Sequence, residues 1–356
     1  MQNVIECRSV WKIFGSRAAE ALQAAKHGNA SKAELMERFY CVLGVADVSF
    51  TVGEGEIFCI MGLSGSGKST LIRHINRLID STSGEILIEG QDINTLHGNA
   101  LRKIRSEKIA MVFQNVALLP HRTVLDNVAL GLELRGRPLA DRHRVAQEKL
   151  DLVSLGSWAH RYPDDLSGGM KQRVGLARAM ASDPDILLMD EPFSALDPLI
   201  RRELQGQFLD LARMMRKTTL FITHDLDEAM RIGSRIAIMK DGAIVQIGTP
   251  EEIVTRPAND YVASFVAGIS RLDLVTASSV MLPMSELAAE FAGRLDSLRS
   301  VPPTATINTV VNTSCETTDP VLVADSGEPL GVITHRALLL GIQGRSPDTI
   351  DQPPIG

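Results

Sequence analysis

The eight residues Gly62-Leu63-Ser64-Gly65-Ser66-Gly67-Lys68-Ser69 constrain this chain more than any other stretch. They match G-x-x-x-x-G-K-[ST] in full and stand between an apolar run, Ile57 to Met61, and a segment with helical spacing, Ser69 to Ile79. A strand that stops at glycines and restarts as a helix is the setting this motif requires. Glycines let the backbone curl so that successive N–H groups point at phosphate oxygens, and the helix N-terminus adds its positive end. Gly62, Leu63, Ser64, Gly65, Ser66 and Gly67 are therefore expected to cradle phosphates. Lys68 is placed for the β- and γ-phosphates, Ser69 for Mg²⁺ and Thr70 for the α-phosphate.

The rest of the chain alternates in the same way. Lys108 to Phe113, Asp185 to Met189 and Thr219 to Thr223 read as short buried strands. Asp126 to Leu134, Arg142 to Leu155, Gly169 to Ser182 and Leu199 to Met215 read as helices. Asp241-Gly242, between Arg235 to Lys240 and Ala243 to Ile247, is a hairpin signal. The alternation predicts an α/β core with a largely parallel sheet. Within 16–43, Ser31-Lys32-Ala33-Glu34 predicts a capping box opening a short helix. Ser, Thr and Pro become more frequent from about Leu272, which places a domain boundary near residue 270.

Ile186-Leu187-Leu188-Met189-Asp190-Glu191 is an apolar strand ending in two carboxylates. In an open α/β sheet such ends line the ligand crevice. Asp190 is the candidate to hold Mg²⁺ through water, and Glu191 the candidate to orient and polarise an attacking water. Alone, the pair would read as a solvated turn; the phosphate loop reverses that.

Formal net charge is −6, which argues against nucleic acid as a partner. Cys7, Cys41, Cys59 and Cys315 form no C-x-x-C pair, so neither zinc nor a disulfide framework is indicated, and reduced thiols are expected. Met1 to Val10 does not read as a signal peptide, and no run approaches a membrane span. Any membrane role is expected to run through a partner protein.

Leu166-Ser167-Gly168-Gly169-Met170-Lys171-Gln172, opening a helix before the acidic strand, resembles the LSGGQ-type signature of ABC ATPases, with Met170 at the fifth position as a departure. Ser167, Gly168 and Gly169 would make a second phosphate-binding helix end. Four further positions fit the same pattern. Gln114, after strand Ile109 to Phe113, resembles the Q-loop glutamine, which also approaches the metal. Ser194-Ala195-Leu196-Asp197 resembles the D-loop. His224 resembles the switch histidine, and Phe14 stands where the family stacks an aromatic on adenine. The resemblance covers about residues 4–270. It implies an ABC-type P-loop nucleotide-binding domain with a helical subdomain, with ATP and Mg²⁺ as its ligands. Two such subunits would sandwich two ATP molecules between one chain's loop and the other's signature, with Lys68, Gln114, Glu191 and His224 in the hydrolytic machinery.

A closer resemblance is to ATPases of glycine betaine, proline betaine and choline importers. It rests on the 16–43 insertion and on Phe193 to Arg201, His224 to Ala229 and Pro257 to Val262. It implies a motor subunit working as a homodimer on a membrane permease, fed by an extracytoplasmic binding protein, peripheral on the cytoplasmic face of the inner membrane. Gln114 to Val124 is apolar for a loop, and Leu118, Leu119, Pro120 and His121 are the expected docking surface. The alternatives are histidine or another amino acid as substrate, or a soluble non-transport ABC ATPase. Residues 271–356 are expected to form a small α+β module resembling a single degenerate cystathionine-β-synthase-type (CBS) unit, with Pro320 to Thr334 as strand, turn, strand and a helix from His335 to Leu340. Ala337 falls where that family's nucleotide-contacting Asp lies, so adenosine binding is not expected there.

Overall fold

The computed structural model describes residues 3–28, 30–194, 196–286 and 295–344. Contacts divide the chain into two units, Met1–Ile247 and Gly248–Gly356. Among the described residues, ten strands begin in the first unit: β1 (Asn3–Phe14), β2 (Val42–Gly53), β3 (Ile57–Met61), β4 (Ser83–Ile88), β5 (Gln91–Asp92), β6 (Ile109–Val112), β7 (Ile186–Asp190), β8 (Thr218–Thr223), β9 (Arg235–Lys240) and β10 (Ala243–Gly248).

Strands β3, β7 and β8 are buried at every residue, so their apolar stretches, Ile57–Met61, Ile186–Met189 and Leu220–Ile222, are continuous rather than alternating. They lie in a six-stranded sheet of order β10-β9-β3-β8-β7-β6, and the pairs β3–β8, β3–β9, β6–β7 and β7–β8 are parallel. Met61 pairs with Thr223, and Asp190 with Ile222. The phosphate loop, Glu191 and His224 thus follow the same ends of three adjacent strands. The β9–β10 turn carries both of its residues in left-handed backbone, Asp241 at φ 51 and Gly242 at φ 89, as a two-residue hairpin demands.

A second, four-stranded sheet of order β2-β1-β4-β5 shares one core with the first. Ile5, Val48, Phe50 and Ile86 meet Phe58, Ile60, Leu188 and Ile222, together with Leu71, Ile72 and Ile75 from the helix Lys68–Ile75. Phe50 and Phe58 stack with centroids 5.1 Å apart. The helix expected to run to Ile79 stops at Ile75, because Arg77 adopts φ 51 and His74 Nδ1 lies 2.7 Å from the carbonyl of Ile79. The segment 16–43 interrupts the β1–β2 hairpin as two helices, Ala18–Gly28 and Lys32–Phe39. The capping box is present: Glu34 N donates to Ser31 Oγ at 3.3 Å, and Ser31 N to Glu34 Oε2 at 2.7 Å. The pair closes a small core of Ile13, Ala21, Leu22, Leu35 and Leu43.

Helices Val124–Leu134, Leu139–Leu152 and Gly168–Ala181 form the helical part, burying Val128, Leu132, Ala146, Leu150, Val174 and Ala177. The second runs Leu139–Leu152 rather than 142–155, starting behind Pro138 and ending before Ser154 turns left-handed at φ 60.

The second unit begins earlier than the expected boundary near residue 270. Its helix Pro250–Thr255 is tied to the later chain, since Glu251 Oε1 accepts from Thr276 N at 2.9 Å and from Ser279 Oγ at 2.5 Å. Strands β11 (Leu282–Pro283), β12 (Ser300–Val301), β13 (Val321–Asp325) and β14 (Glu328–Ile333) form a sheet of order β11-β14-β13-β12. The strand-turn-strand expected over 320–334 is there, and the helix after it, His335–Gln343, runs past Leu340 to end at Gly344, φ 76. With helix Ile307–Cys315 it makes a small α+β unit around Val280, Ile307, Val310, Val323, Val332 and Ala337. Residues 287–294, within the stretch read as leading into this module, lie outside the described residues. Among the described residues no helix is long and apolar enough to cross a membrane.

Candidate functional site

The loop after β3 can only be built from glycines at two points. Gly62 has φ 154, and a Cβ there would stand 2.3 Å from the carbonyl oxygen of Met239; Gly67 has φ 102, and its Cβ would stand 2.2 Å from that of Gly44. The loop is pinned from the β9–β10 turn, where Gly242 N donates to the carbonyl of Ser66 at 3.0 Å. Leu63 is exposed and Ser66 buried.

Lys68 opens the helix with its Nζ folded against the loop, donating to the carbonyls of Gly62 at 2.9 Å and Leu63 at 3.1 Å. It is buried, and burial pushes its ammonium below its ordinary pKa, while Glu191 and Asp190 pull the other way. The glycine loop's N–H groups, the helix start and the buried ammonium together make a setting for an anion. One residue on, Ser69 Oγ donates to Asp190 Oδ1 at 2.8 Å, and Arg73 Nη2 lies 3.4 Å from Asp190 Oδ2. Asp190 is 3% exposed. Arg73 was not singled out in the sequence, although it stands one helical turn after Ser69 and so shares its face.

Glu191 leaves β7 in left-handed backbone, φ 47, its N–H donating to the carbonyl of Ile222 at 3.0 Å. Such a conformation in a non-glycine residue is costly and here aims the carboxylate at a neighbouring strand end. His224 Nδ1 lies 3.0 Å from Glu191 Oε2, and since a carboxylate only accepts, that nitrogen carries the hydrogen.

Gln114 donates from Nε2 to Ser194 Oγ at 3.2 Å, and Ser194 Oγ donates to the carbonyl of Glu191 at 3.0 Å. Gln172, in the helix opened by Ser167, donates to the carbonyl of Gln114 at 3.1 Å. Among the described residues, the loop, the strand-end carboxylates, His224 and Gln114 therefore share one end of the sheet. Ser167, Gly168 and Gly169 are not brought to it. Ser167 Oγ accepts from Met170 N at 3.3 Å, capping its own helix, and no hydrogen bond among the described residues joins these three to residues 62–69. Asp197 caps helix Pro198–Met215, accepting from Leu199 N at 3.2 Å and Ile200 N at 3.1 Å. Phe14 ends β1 opposite Val42, 38% exposed, with Gly44 beneath its ring, where a Cβ would stand 2.8 Å from Phe14 Cε2. Thr70 stands beside Gly44, its Cγ2 3.5 Å from the same point. Lys12 Nζ lies over the same ring, 4.9 Å from its centroid, so the aromatic on the loop's flank carries a cation–π contact.

The segment 114–123 is shaped by Asn127, a residue the sequence reading passed over. It is fully buried; its Nδ2 reaches the carbonyls of Leu119, Arg122 and Thr123 at 3.0, 3.2 and 2.9 Å, and its Oδ1 accepts from Leu119 N at 2.7 Å. Pro120 and His121 are exposed at the tip. A groove of about 510 Å³ runs between this segment and the signature helix, lined by Gln114, Leu118, Pro120, Pro163, Lys171 and Leu196 among others. Another, of about 580 Å³, lies at the far end of β3 among Arg213, Arg216 and Arg231. Those cations sit at the C-termini of two helices, where they offset the helix dipoles, so that groove is explained without a ligand.

Residues 45–194 match the family model for the ABC transporter. The chain is 45% identical over 337 residues to the trimethylamine N-oxide transport system ATP-binding protein TmoW of Ruegeria pomeroyi, covering 94% of this chain and 96% of that protein. The chain belongs to the ATP-binding subunits of ABC transporters. It is also 54% identical over 277 residues to the glycine betaine transport ATP-binding protein OpuAA of Bacillus subtilis, covering 78% of this chain and 66% of that one, just under two thirds of its length. A solved dimeric bacterial ABC transporter cassette superposes with TM-score 0.58 at 34% identity, over 69% of this chain and 98% of that one. ABC subunits bind and hydrolyse ATP, and a glycine-rich loop with the buried Lys68 stands at one end of this chain's sheet. Besides Arg73 and Asn127, the sequence reading missed Ser194 as the link from Gln114 to Glu191; no spacing rule marks a serine that matters through two long-range hydrogen bonds.

Proposed function

We propose that this chain is the ATP-hydrolysing motor of an importer for methylated-amine osmolytes, acting as a homodimer on a membrane permease. One observation carries the reading: a glycine phosphate loop, a half-buried Ser69–Asp190 pair at 2.8 Å and a Glu191–His224 pair at 3.0 Å stand at adjacent strand ends. Lys68 leaves its loop carbonyls for the β- and γ-phosphates. Phe14 stacks on adenine. Ser69, Asp190 and Gln114 carry hard oxygen donors of the kind Mg²⁺ takes, and the Ser69–Asp190 pair beside the loop fits that ion. When bound, the ion offsets phosphate charge. Glu191 accepts the proton of the attacking water, and His224 holds that carboxylate in place and reaches the γ-phosphate. Catalysis is positioning and charge neutralisation.

Ser167, Gly168 and Gly169, remote from their own loop in hydrogen bonding, serve the nucleotide of a second copy, with Asp197 at the same seam. The dimeric solved cassette supports that arrangement. Leu118, Leu119, Pro120 and His121 dock the permease, which places the chain on the cytoplasmic face, with an extracytoplasmic binding protein delivering solute. The second unit is a compact CBS-like appendage that steadies the dimer.

For the substrate, the name of the Bacillus relative favours glycine betaine. The near-complete span of the Ruegeria protein favours trimethylamine N-oxide as a second reading. Both are small, methylated amines. The test is solute uptake in cells lacking this gene, complemented with wild type or Glu191→Gln, against glycine betaine, proline betaine, choline, trimethylamine N-oxide and histidine. Restored uptake of a methylated amine by wild type alone supports the proposal. Restored histidine uptake alone overturns the substrate class, and no restoration by a protein that still hydrolyses ATP overturns the importer reading.

A further inference from the structure

Two helices begin next to the proposed hydrolytic residues. Helix Pro198–Met215 follows the segment Ser194 to Asp197, and helix Leu226–Ile232 follows His224 and Asp225. A single guanidinium joins the two starts. Arg201 Nη1 donates to Asp225 Oδ2 at 2.9 Å, and its Nη2 donates to the carbonyls of Leu196 at 3.1 Å and Ser194 at 3.4 Å. One turn further along, Gln205 Nε2 donates to Glu228 Oε1 at 2.9 Å, both side chains buried. The two contacts form a short polar ladder along the facing sides of the helices.

Both rails of that ladder end on Glu191. Asp225 adjoins His224, whose Nδ1 lies 3.0 Å from Glu191 Oε2. Ser194 donates to the Glu191 carbonyl at 3.0 Å and accepts from Gln114. Arg201 itself has no hydrogen bond to Glu191 or His224 among the described residues. We propose that Arg201 is a positioning residue for hydrolysis, holding the His224 segment at a set distance from Ser194 and Leu196 beside Glu191. The proposal rests on the reading of Glu191 and His224 as the hydrolytic pair. An arginine suits this position. Its planar fork can hold a carboxylate with one arm and two carbonyls with the other, whereas a lysine ammonium is a point charge that meets one demand at a time. A displacement of about 1 Å at a reacting group costs on the order of 100-fold in rate.

The test uses the full chain, with steady-state ATP hydrolysis and thermal melting measured on Arg201→Gln, Arg201→Lys, Asp225→Asn, the Arg201→Gln/Asp225→Asn double variant and Glu191→Gln. Asp225→Asn keeps the helix cap, since asparagine caps as well as aspartate, and it carries the test if Arg201→Gln does not fold. The expected result is a kcat lowered roughly 10- to 100-fold in Arg201→Gln and Asp225→Asn, with KM for ATP within about twofold of wild type. Arg201→Lys should recover part of the loss, and the double variant should fall no further than the worse single one, because both remove one contact. Folded variants that turn over at the wild-type rate while Glu191→Gln is inactive overturn the positioning role alone. A kcat loss matched by a raised KM and a lowered melting temperature also overturns it, in favour of a purely structural role. Wild-type turnover in Glu191→Gln overturns the reading of the site, and the proposal with it.

Discussion

Replacing Gly67 with alanine should damage both folding and nucleotide binding, whereas the same change at Gly65 should damage binding far more than folding. At Gly67 the backbone is left-handed, φ 102, and the new Cβ would stand 2.2 Å from the carbonyl oxygen of Gly44. Ordinary contact begins more than an ångström further out, and what stands in the way is backbone on β2, which cannot rotate aside. The left-handed conformation costs about 1–2 kcal/mol for an L-residue. Forcing the overlap apart costs about 1–3 kcal/mol more. A domain of this size loses roughly 2–4 °C of melting temperature per kcal/mol, so Gly67→Ala should melt on the order of 4–20 °C below wild type. At Gly65, φ 77, a Cβ meets nothing within 4 Å, and only the backbone cost applies. Gly65→Ala should therefore melt within about 2–8 °C of wild type and still bind ATP at least about tenfold more weakly, a change of ~1.4 kcal/mol, because loop N–H groups must approach phosphate closely. Calorimetry and nucleotide titration on the same samples read both quantities. Equal losses of melting temperature in the two variants, or an undisturbed melt in Gly67→Ala, would refute the reasoning.

Three further outcomes follow from single contacts. Phe14→Ala should weaken ATP binding about 3- to 10-fold, the worth of one aromatic stack, with Phe14→Trp preserving it; fluorescence titration decides, and unchanged affinity in the alanine variant removes Phe14 from the adenine site. Burial raises the pKa of Glu228 above its ordinary value, with Thr223 and Gln205 opposing. The folded state then holds more protons than the unfolded one above about pH 4.5, so this group's contribution is present at low pH and lost as pH rises. Glu228→Gln should accordingly raise the melting temperature more at pH 7 than at pH 5, and a gain that is flat or reversed with pH refutes the shift. Asn127→Ala removes the only side chain clamping Leu119, Arg122 and Thr123 together among the described residues. It should leave ATPase turnover of the isolated protein within about twofold while abolishing solute uptake in cells, and uptake at the wild-type level would show that the 114–123 loop is not where the permease docks.

Much of the site was legible because it is written in local chemistry. The phosphate loop needs glycine where φ is positive and a strand and helix on either side, and all of that lies within residues 57–75. The capping box of Ser31 and Glu34 and the Asp241-Gly242 turn are legible for the same reason, since each is satisfied within four residues. The buried strands Ile186–Asp190 and Thr218–Thr223 announce themselves by the continuous apolar stretches Ile186–Met189 and Leu220–Ile222, though not their neighbours in the sheet. Helix ends were read less well: the turn at Arg77 that stops the helix at Ile75 depends on the carbonyl contacts its guanidinium makes with Ile93 and Leu96, residues far along the chain.

By itself, then, the sequence determined which segments are strand, loop and helix around the nucleotide, because backbone conformation and burial period are properties of a few neighbouring residues. Tertiary structure alone decided the partners. Sheet order set β8 between β3 and β7, and that non-local choice brought Ser69 to Asp190 across 121 residues, His224 to Glu191 across 33 and Arg201 to Asp225 across 24. It also decided where the second unit begins, since Glu251 bonds forward to Thr276 and Ser279 rather than back along its own helix. Hydrogen bonds and ion pairs are short-ranged and directional, so which of them form depends on which strand ends lie side by side, and no local spacing in the chain encodes that.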